Sequence, residues 1–459
     1  MIQAAKILEQ RSHLVPGKLR ITEHFFQVPR DYSNPASGTI ELFARSARKF
    51  ERPAVEKPED PKSQPPWIVY LQGGPGFQCG QPQDFRFTDN LLEKGYQVLC
   101  LDQRGTGLST AISESSLQLR GMEDVQTNYL KSFRADSIVK DCEAIRQALT
   151  AEYPDDQKKW SIMGQSFGGF CCTTYLSFYP EGVKEAFIFG GLPPARDGPD
   201  EVYERLYRRV KERNVQYYQK FPEDVERVKK IVKFLGQNGD TTVRVQGGEG
   251  YLTARRFLQL GLMFGGHGGI DTVHDLVLKA DTDLRQFGHL THPTITAIEA
   301  CQSFDSNVLY ALLHEPIYCS GPGQASNWSA HRMMQKYPDF IPDPSRDAPI
   351  LFTGEMIYPF MFDCYPELRK LKQVGEMLAS TSDWPKLYDW EQLARNEVPV
   401  YAAVYYDDMY VDFDLSMETA SKIKGCKTFV TNAMYHNAVR AKWHEVMAGV
   451  WALRDDVID

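Results

Sequence analysis

Residues 160–169, Trp160-Ser161-Ile162-Met163-Gly164-Gln165-Ser166-Phe167-Gly168-Gly169, decide how this chain folds. An apolar run enters a Gly-x-Ser-x-Gly sequence, and a helix-like Cys171-Cys172-Thr173-Thr174-Tyr175-Leu176 leaves it. Strand, sharp turn and helix in that order present a serine oxygen on a cramped backbone, and the glycines permit the turn because they carry no Cβ. Ser166 is therefore the candidate nucleophile.

A nucleophilic serine needs a base and donors for an oxyanion. Upstream, Trp67-Ile68-Val69-Tyr70-Leu71 reads as a buried strand that runs into Gln72-Gly73-Gly74-Pro75-Gly76-Phe77, whose glycines leave backbone N–H groups uncovered. Pro75 has no N–H to give. Far downstream, Val400-Tyr401-Ala402-Ala403-Val404-Tyr405-Tyr406 has the β-branched and aromatic content of a strand and ends in Asp407-Asp408, either of which could supply the acid. Beyond these stand only His436 and His444. His444 falls on the polar face of an amphipathic helix predicted over 439–447. His436 lies in the loop ahead of it, after the strand-like Cys426-Lys427-Thr428-Phe429-Val430.

Three motifs in order resemble the prolyl aminopeptidase (proline iminopeptidase) family of α/β-hydrolases: Gly73-Gly74-Pro75-Gly76, Leu101-Asp102-Gln103-Arg104-Gly105-Thr106-Gly107-Leu108-Ser109, and Gly164-Gln165-Ser166-Phe167-Gly168-Gly169. The resemblance spans about residues 20–195 and 395–459, with short patches between. It implies the order nucleophile, acid, histidine. The acid then falls at Asp408, three residues before Val411, and the base at His436 in Tyr435-His436-Asn437-Ala438, where Tyr435 replaces the family's usual glycine. The implied oxyanion donors are the N–H groups of Gly74 and Phe167. Gln72 stands where many relatives carry histidine. Asp102 and Arg104 are expected to brace the site, since arginine stays protonated and cannot act as a base.

The implied activity is release of an N-terminal proline from short peptides through an acyl-enzyme. A free N-terminal imino group is cationic near neutral pH, so it calls for carboxylates fixed in a pocket of low polarity. Glu315, in Leu312-Leu313-His314-Glu315-Pro316-Ile317-Tyr318, resembles the family's amine-binding glutamate. Glu355, in Phe352-Thr353-Gly354-Glu355-Met356-Ile357-Tyr358-Pro359, resembles a patch of the larger prolyl aminopeptidases. Phe352, Tyr358, Phe360 and Phe362 are the aromatic candidates for a ring pocket. Another serine hydrolase on the same core, an esterase, amidase or dipeptidyl-type aminopeptidase, is the competing reading.

Composition agrees with such an enzyme. At 459 residues the chain exceeds the roughly 250–300 residues over which a single core grows, so an α/β core with an inserted domain is expected. A hydrophobic content of 42% and a charged content of 24% suit a soluble globular protein. The net charge of −8 and pI near 5.8 argue against nucleic acid or anionic membrane as partners. Met1-Ile2-Gln3-Ala4-Ala5-Lys6 lacks the apolar core of a signal peptide, so a cytoplasmic location is expected. Nine cysteines without CxxC spacing fit free thiols. No metal or other cofactor is expected, His289 and His292 reading as an exposed loop pair; the oligomeric state is left open.

The order of elements gives the fold class, an α/β-hydrolase core with a mostly parallel sheet. Residues 19–48 read as a hairpin around Pro29–Gly38, and Pro53–Pro66 as a surface loop. Strands near 67–72 and 96–101, a helix at 134–152 and a strand at 186–191 surround the Ser166 turn. Residues 199–236 are charged and helical. The core is accordingly assigned to 1–191 and 391–459, and a mainly helical cap to 192–390.

Overall fold

The computed structural model describes residues 2–50, 64–245 and 249–456. All but residues 64–66 of the loop expected over Pro53–Pro66 lies outside them. Among the described residues nine strands form one sheet: β1 (Lys6–Val15), β2 (Leu19–Pro29), β3 (Thr39–Lys49), β4 (Trp67–Leu71), β5 (Gln97–Asp102), β6 (Trp160–Gln165), β7 (Val183–Phe189), β8 (Val400–Tyr405) and β9 (Cys426–Thr431). Their spatial order is β1-β2-β3-β5-β4-β6-β7-β8-β9. The first three strands run antiparallel to their neighbours, and every pair from β5 to β9 is parallel.

Parallel strands connected by helices are covered on both faces, and β4, β5, β6 and β8 are buried at every residue. Alternate side chains divide between two cores. Val69, Leu71, Ile162 and Ile188 face a large cluster with α2 (Ala135–Leu149) and α3 (Phe167–Phe178). Tyr70, Met163, Phe187 and Ala403 face a smaller cluster. That second cluster is closed by α1 (Arg86–Glu93) and by α8 (Trp443–Asp455), the last long helix.

The expected hairpin is present, with Pro29 opposite Thr39. Sequence reading missed β1, whose residues are exposed or half-buried throughout, so no alternation marks it. The helix predicted over 439–447 is broken at Lys442 into Ala438–Ala441 and α8, leaving His444 exposed. Between β7 and β8 the regular structure is helical, beginning with α4 (Asp200–Lys220), where Tyr207, Val210 and Tyr217 are fully buried. Farther along lie α5 (Val308–Leu313) and α6 (Ser329–Met334), and α7 (Phe413–Lys422) follows β8. The helical layer shares the larger cluster with the sheet, so one continuous apolar interior joins them. No helix among the described residues is long and apolar enough to cross a membrane.

Candidate active site

Ser166 sits between β6 and α3 with φ 56° and ψ −129°, a conformation that costs a non-glycine residue about 1–3 kcal/mol. The surroundings hold it there. The Ser166 N–H bonds to the Phe189 carbonyl at 3.0 Å, and the Ser166 carbonyl accepts from the Gly169 N–H at 2.7 Å. The glycines are required by close approach: a Cβ on Gly164 would strike the Gly168 carbonyl, and one on Gly168 would strike the Leu71 carbonyl. The first turn of α3 therefore lies directly on the end of β4.

The loop after β4 passes against the nucleophile, where a Cβ on Gly73 would stand 2.9 Å from that of Ser166. Gly74 has φ 144°, a left-handed value that suits glycine alone. Phe167 opens α3, so its N–H belongs to the positive end of a helix. Gly74 thus follows the residue in closest approach to Ser166, and Phe167 follows Ser166 in the chain. Gln72 accepts from Arg440 Nη2 at 2.6 Å, and its carbonyl accepts from Gln103 Nε2 at 3.0 Å.

His436 Nδ1 lies 2.7 Å from Asp408 Oδ2, and both side chains are buried. The Tyr410 and Val411 N–H groups donate to Asp408 Oδ1 at 2.8 and 3.1 Å. The three-residue offset to Val411 is therefore a hydrogen-bonded turn that aims the other carboxylate oxygen at the imidazole. Asp407, half-buried, is not the residue bonded to His436. Burial alone would push the His436 pKa down, but the charge and hydrogen bond of Asp408, helped by Glu355, hold it above its ordinary value. Arg440 opposes them.

Asp102 and Arg104 are structural. Asp102 accepts from the Cys79 and Leu108 N–H groups at 2.7 and 2.9 Å. Arg104, fully buried, makes a two-pronged bond to Asp141 at 2.7 and 2.6 Å and donates to the Arg30 and Ser132 carbonyls.

The two glutamates differ in what surrounds them. Glu315 receives the Ser329 and Ala330 N–H groups on separate oxygens at 2.9 and 2.8 Å, capping α6. Burial pushes its pKa up to about 7. Glu355 accepts from the Tyr310 hydroxyl and faces His314 Nε2 at 3.5 Å. Burial would raise its pKa too, but His314, His436 and Tyr310 outweigh that and hold it below the ordinary glutamate value. Glu355 is a half-buried carboxylate whose neighbours favour its charged form.

Sequence reasoning missed Tyr310 and His314, although His314 immediately precedes Glu315 in a run already singled out. Of the four aromatic candidates, Phe352 and Tyr358 are wholly enclosed in the helical layer, with Phe352 against Tyr217 and Phe264 and Tyr358 bonded to Tyr207. The ring beside Glu355 is instead Tyr310, 5.0 Å from Phe77 of the glycine loop. Glu223, Asp224 and His274 bring three ligand atoms within 4.8 Å of one another. Arg227, 2.9 Å from Asp224, already supplies that group's cation. His289 and His292 are not part of it.

A sequence profile described as the alpha/beta hydrolase fold matches residues 66–234. The chain is 47% identical over 458 residues to proline iminopeptidase aneH of Aspergillus aculeatus, a match covering 100% of this chain and 99% of that protein. It is 37% identical over 446 residues to the proline iminopeptidase of Aeromonas sobria, covering 97% of this chain and 99% of that protein.

Proposed function

The chain belongs to the proline iminopeptidase family of α/β hydrolases, and on that premise we propose that it releases N-terminal proline from short peptides by acyl transfer through Ser166. His436 takes the Ser166 proton as the serine oxygen attacks the prolyl carbonyl carbon. The Gly74 and Phe167 N–H groups donate to the developing oxyanion, whose charge they meet without reorganising. As the tetrahedral species collapses, His436 returns the proton to the departing amine. Water then attacks the acyl-enzyme by the same route and proline leaves. Asp408 keeps the imidazole in the Nδ1–H tautomer and stabilises its cation.

Glu355 and Glu315 hold the imino group. The observation that supports this reading is the placement of Glu355: it is bonded to Tyr310, whose ring packs on Phe77 of the glycine loop, and faces His314, and its neighbours, His436 among them, favour its charged form. Glu315 adds negative charge from behind, with both of its oxygens already bonded to α6. Such an anchor leaves no place for a residue ahead of the proline, and exopeptidase action follows. Residues 1–191 and 391–459 then form the catalytic core and 192–390 a cap. Nine unpaired cysteines, seven of them buried, suit a reducing compartment such as the cytoplasm.

The test is hydrolysis of proline anilide beside N-acetylproline anilide. The acetylated compound carries no cation and should be a very poor substrate. Equal rates for the two would remove the amine-anchoring role and favour a general amidase or esterase.

A further inference from the structure

The loop carrying His436 is held from outside the sheet. Residues 262–267, part of the helical layer, run along it and along the acid loop. The Gly265 carbonyl accepts the His436 N–H at 3.2 Å. The Tyr410 hydroxyl donates to the Leu262 carbonyl, while its ring stands edge-on to the His436 imidazole at 4.7 Å. A Cβ on Gly265 would collide with that tyrosine ring, so the segment is already in close contact. At its end, Asn437 Oδ1 receives both the N–H and Nδ1 of His267, at 3.0 and 2.6 Å. The His267 ring also meets Tyr435 edge-on at 5.1 Å.

The segment is itself anchored. Arg213 of α4 donates Nε and Nη2 to the Phe264 carbonyl at 3.1 and 2.8 Å, and its guanidinium covers the Tyr435 ring at 4.4 Å. His267 Nε2 is buried with no partner among the described residues. The polar bond of the imidazole therefore goes to Asn437, and Nδ1 is its donor. Both residues beside His436 in the chain are thus gripped by one histidine.

We propose that residues 262–267 form a strap that positions the catalytic base, with the His267–Asn437 bond as its clasp and His267 as a positioning residue. The proposal rests on reading His436 as the base for Ser166. An imidazole must meet the serine hydroxyl at hydrogen-bond distance, and a misplacement of roughly 1 Å far from the reacting atoms can lower a rate about a hundredfold. The β8–β9 side of the sheet supplies Asp408 and His436, but the helical layer fixes where the imidazole stands. The insertion between β7 and β8 therefore takes part in the chemical step as well as in substrate choice.

The experiment compares His267→Ala, Asn437→Ala and Asn437→Asp with Ser166→Ala in the full chain. It uses proline anilide turnover and the rate constant for labelling by a fluorophosphonate, which has no amine to anchor. The strap requires kcat to fall about ten- to hundredfold in both alanine variants with KM within about twofold, and labelling to slow by a similar factor. Asn437→Asp keeps the oxygen that receives both His267 donors, and should retain most of the activity. Should Asn437→Ala fail to fold, His267→Ala, at a half-exposed position, decides the matter. Wild-type turnover and labelling in folded His267→Ala, or an Asn437→Asp as impaired as Asn437→Ala, overturns the proposal. Turnover in Ser166→Ala overturns instead the reading on which it rests.

Discussion

His314 Nε2 stands 3.5 Å from Glu355 Oε2, and Nδ1 of the same ring lies 3.2 Å from the Tyr203 hydroxyl. One histidine thus links α4 to the segment bearing the ionised glutamate, and its neighbour Glu315 caps α6. The run from Leu312 to Tyr318 places two acidic sites by the orientation of two adjacent side chains.

Glu355→Gln should lower kcat/KM for proline anilide about ten- to hundredfold. It removes one charge-assisted bond, worth about 1.5–3 kcal/mol, while keeping shape. Labelling by a fluorophosphonate at alkaline pH, where His436 is neutral with or without the charge of Glu355, should stay near wild type. Glu315→Gln should differ in kind. Its amide nitrogen would meet one of two backbone N–H groups, so the melting temperature should fall as well, with a stability loss of about 1–3 kcal/mol.

Asp408→Asn should reduce kcat about a thousandfold or more, and Asp407→Asn only slightly. The asparagine at 408 can still bond the Tyr410 and Val411 N–H groups, but presents an amide to His436 Nδ1 and favours the wrong tautomer. Steady-state kinetics of both purified variants checks this; the reverse ranking would move the acid to Asp407.

The acid limb of the pH profile of kcat/KM should lie above the ordinary histidine value of about 6.5. His436 works as a neutral base, its pKa is raised, and activity is lost as pH falls through that raised value. Glu315, pushed up to about 7, also takes a proton as pH falls through neutrality and loses the charge it contributes behind the imino group. Two protonations should make the limb steeper than one proton allows. Arg440→Met removes a cation that lowers the His436 pKa, so it should move the limb to higher pH.

Gly168→Ala should destabilise the fold by about 3 kcal/mol or more, because the new methyl would meet the Leu71 carbonyl and backbone cannot move aside as a side chain can. Urea unfolding measures it. A variant as stable as wild type would mean that α3 can lift from β4.

The serine turn, the glycine loop and the order of strands were legible because each depends on local chemistry: glycine where Cβ cannot fit, and apolar residues in runs where both faces are buried. The aspartate choice needed a three-residue spacing whose cause, the Val411 N–H on Asp408, is local too. The helical layer was legible as helices but not as contacts. Tyr310, His314 and His267 reach their partners across 45, 41 and 170 residues of chain, and no periodicity records such pairings. Strand β1 escaped for the opposite reason. It buries nothing, so the alternation that reveals a strand is absent.

Strands β7 and β8 lie side by side, yet residues 190–399 separate them in the chain. During synthesis the serine turn emerges with β6 and β7 long before the strand that completes their sheet, and the acid and base are the last parts of the site to be made. On the roles proposed for Asp408 and His436, a nascent chain should be inert toward its neighbours until the segment bearing them has taken its place beside the earlier strands. Premature termination anywhere in the helical stretch should leave a polypeptide with an open sheet edge and no catalytic power, prone to clumping rather than to stray cleavage.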